Sequence, residues 1–174
     1  SDLQENEAWT WEQQALIRAR PVCGDPAIAK RFKAIRRRVL ARPRNEDELR
    51  RSVSDMRDRL QKENLKGAAD GFDLKYGPGG MVGIEFLVQY LVLRHAHRHV
   101  ELVRWTDNVR LIGALAGCGI FDDVAAYFLR KAYLTYRIVG HRLDLKEQPA
   151  IVSGKRFRTL RMMVRSHWGR FLGT

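Results

Sequence analysis

Apolar residues recur along most of this chain at intervals of three and four, the signature of helices with one buried face. Residues 6–20 carry Trp9, Trp11 and Leu16 among the strong helix formers Ala8, Ala15 and Ala19, and Pro21 stops them. Asp25-Pro26 then opens a helix over 26–41, the aspartate as N-cap and the proline at the first helical position. Its predicted buried face is Ile28, Phe32, Ile35 and Val39, with Lys30, Lys33, Arg36, Arg37 and Arg38 opposite. Residues 46–63 open on Glu46, Asp47 and Glu48 and have only a thin stripe, Leu49, Val53, Met56 and Leu60. Such a salt-laced helix predicts an arm over 44–68 that stands away from the core. Lys62 to Gly71 reads as loop, and Phe72–Tyr76 alternates apolar and polar as a short extended segment without a partner strand.

The pattern changes at Met81. Ile84, Phe86, Leu87, Val88, Tyr90, Leu91, Val92 and Leu93 cover nearly the whole circumference of a helix, which marks it as buried and central. Only Glu85 and Gln89 interrupt it with polarity, and a buried Glu85 has to find a donor. A fifth helix begins with Thr106 as N-cap, carries Val109, Leu111, Ile112 and Leu115, and closes at Gly117-Cys118-Gly119. A sixth runs from Asp122 to about Leu143 on a stripe of Val124, Phe128, Ala132, Tyr136 and Val139. Residues 144–152 connect it to a last helix, 154–172, with Phe157, Leu160, Met163, Val164, Trp168 and Phe171 on one side and arginines on the other. The expected fold is all-α: one domain over 1–174, a bundle of about seven helices with one short extended segment before the central helix.

Charge narrows the choice of partner. The 174 residues carry 32 Lys and Arg against 20 Asp and Glu, a net charge of +12. That balance favours an anionic partner, or arginine stems laid over the core with their heads in water. No apolar run reaches the ~18 residues a membrane helix needs. Cys23 and Cys118 lack a CxxC spacing and predict a reduced, cytoplasmic setting. The acidic start at Ser1-Asp2, without an initiator Met, reads as a domain cut from a longer protein.

The chemistry-bearing motifs are few. His95, His97 and His99 crowd a helix end, but no acid or cysteine beside them in sequence completes a tetrahedral set. Neither a G-x-S-x-G elbow nor a Walker loop is present. The acidic pairs Asp122-Asp123 and Asp55/Asp58 lie on helices, without the strand context expected of a Mg²⁺ site for nucleotidyl transfer. What remains is the glycine loop Gly77-Pro78-Gly79-Gly80 running into the central helix. Its amides and the helix dipole could face an anion, with Lys75 adding charge, or the glycines could serve close packing.

At this stretch Phe72-Asp73-Leu74-Lys75, Gly79-Gly80-Met81 and Ile84-Glu85-Phe86 resemble the D-I-K…G-G-I-x-x-I-E-F signature of the glutamine synthetase adenylyltransferase/adenylyl-removing family. The segments 6–20, 89–94 and 104–110 are similar to further stretches of that family. The resemblance implies a C-terminal helical region that follows a nucleotidyltransferase core. The family's G-S-x-D-x-D metal motif belongs to that core and does not occur here, so no catalytic or metal-ligating residue is assigned. The implied activity of the whole enzyme is transfer of AMP from ATP, with Mg²⁺, to a tyrosine of glutamine synthetase. The implied partners are glutamine synthetase, a PII-type signalling protein and the enzyme's own upstream domain. Within this chain the resemblance points to Arg18, Lys75, Gly79 and Gly80 as phosphate, nucleotide or interdomain contacts, with Glu12 and Glu85 anchoring the cations. Val82 and Gly83 stand where the family places a polar residue and an acid, so the loop itself supplies no carboxylate. The competing class is a basic helical module for nucleic acid, using the second and last helices. The aromatics sit at core spacings instead of alternating with the basic residues, which counts against it.

Overall fold

The computed structural model describes residues 10–65 and 71–173; the expected helix start at 6–9 and residues 66–70 of the expected 62–71 loop lie outside them, while 62–64 continue the preceding helix. In chain order the elements are α1 (Thr10–Arg18), α2 (Pro26–Leu40), α3 (Glu46–Asn64), β1 (Gly71–Asp73), α4 (Met81–His95), a 3₁₀ turn (Val100–Val103), α5 (Asn108–Gly117), α6 (Asp123–Asp144), β2 (Ile151–Ser153) and α7 (Arg158–Leu172). Seven α-helices among the described residues, in an all-α bundle, are therefore as the apolar pattern predicts. Among the described residues no helix is long and apolar enough to cross a membrane.

The bundle is built around α4. Ile84, Leu87, Val88, Tyr90, Leu91, Val92 and Leu93 are fully buried, and α1, α3, α5, α6, α7 and the 3₁₀ turn all touch this one helix. Local chemistry sets the helix starts. The Asp25 carboxylate accepts from the Ala27 amide at 2.6 Å, and the Asn45 side chain accepts from the Asp47 and Glu48 amides at 3.0 and 3.1 Å. At α5 the cap is Asp107, one residue beyond the expected Thr106, and it accepts from the Arg110 amide at 2.9 Å.

Four expectations change. The 44–68 arm is no arm within the described residues: Leu49 and Val53 are buried against the core. Glu46 pairs with Arg94 of α4 at 2.8 Å, and the Arg57 guanidinium stacks on Trp168 of α7 at 3.9 Å. Four apolar residues at spacings of four, three and four are enough to dock an otherwise charged helix. The extended segment is not alone either: β1 pairs antiparallel with β2, Gly71 opposite Ser153 and Asp73 opposite Ile151. On α2, Ile28 is 69% exposed, and the buried residues are Arg36 and Leu40 with Phe32 partly covered, because α1 and the 3₁₀ turn pack on that side of the helix. On α6 the buried stripe is Ala125, Leu129, Ala132, Tyr133, Tyr136 and Gly140, so Val124 faces outward with Tyr127, Leu134 and Ile138.

Candidate functional site

Glu85 lies in the second turn of α4, where its neighbours are all apolar. Its Oε1 accepts three hydrogen bonds from three other helices: Arg18 of α1 at 3.2 Å, Asn108 of α5 at 3.3 Å and the Tyr133 hydroxyl of α6 at 3.1 Å. The donor that Glu85 requires is thus a convergence of four helices on one oxygen. Burial pushes the Tyr133 hydroxyl above its ordinary range, and the neighbouring carboxylate adds to this, so it stays a donor. One turn further along α4, Gln89 accepts from Gln14 of α1 at 2.9 Å inside the core. Arg18 itself is half-exposed, so the cluster opens to solvent on the α1 side.

The other residues singled out from sequence are placed differently. Lys75 is exposed, with its ammonium 5.0 Å from the centre of the Tyr76 ring, and Glu12 is exposed on α1. Neither Lys75 nor the glycine pair bonds to Glu85. The loop amides are used internally: Gly80 N–H donates to Gly77 O at 2.7 Å, Met81 N–H to Leu74 O at 2.9 Å and Val82 N–H to Lys75 O at 3.0 Å. The expectation of an anion cradle therefore fails at Gly80 and the first helical turn. Close packing accounts for the glycines, since a Cβ on Gly79 would lie 2.6 Å from the Arg161 carbonyl of α7. Asp73, which sequence reasoning passed over, holds this turn by accepting from the Lys75 and Tyr76 amides at 2.8 and 2.9 Å.

A concavity of about 690 Å³ lies between α2 and the 3₁₀ turn. Arg20, Lys33, Arg37, Arg104 and Arg110 line it, and Glu101 is the one carboxylate among its lining residues. Trp105 is flanked there by the guanidiniums of Arg104 and Arg110, at 4.7 and 4.6 Å. Its chemistry suits an anion. These cations come from three separated segments, so no local motif announced them.

The histidines separate in the same way. His95, at the end of α4, has its pKa pushed down to about 4 by burial first and then by Arg94 and His99, against an opposing pull from Glu46. Burial also lowers His167, with Arg170 acting in the same direction and Asp122 against it. Because the folded His95 binds its proton below the ordinary 6.5, the unfolded chain protonates first as pH falls. Stability should be complete above pH 6.5 and decline across the window down to about 4. Urea midpoints measured through that window should fall, and His95→Gln should flatten the slope; an unchanged slope would contradict the assignment. His99 corrects the sequence reading more directly, because the fold brings Glu101 and Cys118 beside it.

The sequence of this all-α bundle matches two family models. Residues 1–35 match the one described as Glutamate-ammonia ligase adenylyltransferase, and residues 47–150 match the one described as GlnD PII-uridylyltransferase. These define the class, a helical domain of the nucleotidyltransferase-related type. Since the second match spans more than half of the chain, the chain belongs to the GlnD PII-uridylyltransferase family. The first 35 residues uphold the adenylyltransferase resemblance drawn from the motifs.

Proposed function

We propose that this chain is the helical domain of a longer enzyme that moves AMP from ATP to glutamine synthetase, with the reacting groups and Mg²⁺ held by an upstream nucleotidyltransferase core. One observation carries the reading. The adenylyltransferase-like segment 1–35 and the segment 47–150 are tied into one core, α1 to α4, by Arg18–Glu85 and Gln14–Gln89. In this role Glu85 holds Arg18 at the surface of the α1 side, where its guanidinium can meet a phosphate or an acidic group of the neighbouring domain. Lys75, exposed just ahead of α4, offers a second cation to the same class of partner. The Gly79-Gly80 pair contributes by letting α4 start against α7. A PII-type protein acting through the longer enzyme, and a cytoplasmic setting, complete the proposal.

The discriminating experiment supplies the longer enzyme with labelled ATP or UTP, glutamine synthetase and a PII-type protein. AMP on glutamine synthetase is the expected product; UMP on the PII-type protein would overturn the reading in favour of the uridylyl reaction. Within that assay Arg18→Ala should lower AMP transfer several-fold while moving the melting temperature little, because a half-exposed ion pair contributes under ~1 kcal/mol. A rate equal to the parent's would remove Arg18 from the contact surface.

A further inference from the structure

We propose that His99, Glu101 and Cys118 form a binding site for a zinc-type divalent transition-metal ion. The three residues come from two elements. His99 caps the 3₁₀ turn, Glu101 lies within it, and Cys118 caps the C-terminus of α5. Glu101 Oε1 lies 3.4 Å from His99 Nδ1 and 3.3 Å from Cys118 Sγ, and all three donor atoms fall within 4.8 Å of one another. Zinc bonds of ~2.0 Å to oxygen and nitrogen and ~2.3 Å to sulfur, at tetrahedral angles, separate N from O by about 3.3 Å and S from O by about 3.5 Å. Two edges of the donor triangle therefore already have the length a tetrahedral ion imposes. The third, between imidazole and thiol, is at most 4.8 Å and needs to close by no more than about 1.3 Å to reach that geometry.

The backbone holds the donors in place. The His99 amide donates to His95 O at 2.9 Å, Leu102 to His99 O at 3.0 Å and Cys118 to Ala114 O at 3.0 Å. A mixed imidazole, carboxylate and thiolate set selects zinc, cobalt or a related ion over Mg²⁺ and Ca²⁺, which take oxygen ligands. On binding, the Cys118 S–H bond breaks and an S–metal bond forms, the proton passing to solvent. His99 coordinates through the Nδ1 lone pair as a neutral imidazole with its proton on Nε2. Glu101 is exposed, which leaves the fourth position to water. The ion would pin the 3₁₀ turn to the end of α5 and neutralise the carboxylate that the basic cleft contains.

The test is a cobalt titration of the chelator-treated chain, read by the thiolate-to-cobalt charge-transfer absorption, followed by displacement with zinc. One equivalent of Co²⁺ should raise the band and zinc should abolish it. Cys118→Ser should remove the band, and His99→Gln should weaken cobalt binding at least tenfold, while Cys23→Ser leaves both unchanged. Circular dichroism melts without metal establish that each variant folds, and Glu101→Gln serves if one does not. Absence of the band, a band that disappears with Cys23, or affinity indifferent to His99 would each overturn the site. A hydrogen-bonded trio alone would give no charge-transfer signal.

Discussion

Replacing Gly79 with alanine should cost about 3–4 kcal/mol of folding stability, a drop of roughly 10 °C in melting temperature for a domain of this size. Two effects add. Gly79 sits at φ +84°, in the left-handed region where an L side chain costs ~1–2 kcal/mol. Its new Cβ would also lie 2.6 Å from the Arg161 carbonyl and 3.0 Å from the Arg161 Cα. Both atoms are backbone of α7, so no flexible side chain can swing away. Relief has to come from separating α7 from the loop that starts α4, which loosens packing along both helices. Gly113→Ala is the matched control. It lies in α5 with nothing within 4 Å of the added carbon, and alanine there should be neutral or stabilise by up to ~1 kcal/mol. Differential scanning calorimetry on the two variants decides the matter: equal melting temperatures would show that the loop does not need its glycine.

The second large effect is expected at Arg36. This residue is only 6% exposed, yet among the described residues its hydrogen bonds go to carbonyls and not to a carboxylate. Its guanidinium donates to four carbonyls: Nε to Leu16 O at 2.9 Å, Nη1 to Val103 O, and Nη2 to Ile17 O and to Trp105 O, the last at 3.2 Å. Two of these carbonyls close α1 and the others end the 3₁₀ turn and follow it, so the cation sits among the negative ends of two helical dipoles. Burial lowers the Arg36 pKa without discharging the guanidinium. Arg36→Met keeps most of the apolar stem and removes every donor, leaving the carbonyls to whatever water the adjoining cleft admits. The expected loss is about 2–3 kcal/mol. Arg36→Lys should recover less than half of it, since one ammonium cannot span the planar fork's directions. Urea unfolding monitored by tryptophan fluorescence reads both; a methionine variant as stable as the parent would show that the clamp holds nothing.

Arg36 also shows where the sequence becomes hard to read. A periodicity argument counts arginine as a solvent-facing residue, and on α2 that choice placed the buried Arg36 on the outer face. Nothing in the local pattern says that four unsatisfied carbonyls will meet there, because they belong to α1 and to a turn nearly seventy residues later. The central helix was legible for the opposite reason. An apolar circumference over Ile84–Leu93, interrupted only by Glu85 and Gln89, has no amphipathic alternative. It also made the demand of Glu85 for a donor visible, although its donors Arg18, Asn108 and Tyr133 were not, being set by tertiary packing alone. On α6 the small residues Ala125, Ala132 and Gly140 share the buried face with Leu129, Tyr133 and Tyr136, while Val124, Tyr127, Leu134 and Ile138 remain outside and mislead a count by size. Strands of three residues carry too little alternation to be paired by inspection, which is why Ile151–Ser153 went unread as a partner.

That strand pair bears on where this unit can be cut. Asp73 meets Ile151, 78 positions further on (151 − 73), and the Leu74 amide donates to the Ala150 carbonyl at 2.9 Å. The family match ends at residue 150, between that carbonyl and the strand. A piece trimmed to the matched span would lose the outer half of the clasp and all of α7, the wall on which Gly79 rests. The border of sequence similarity and the border of cooperative folding are therefore different places. The second lies at least as far as Leu172, whose side chain is buried in the core.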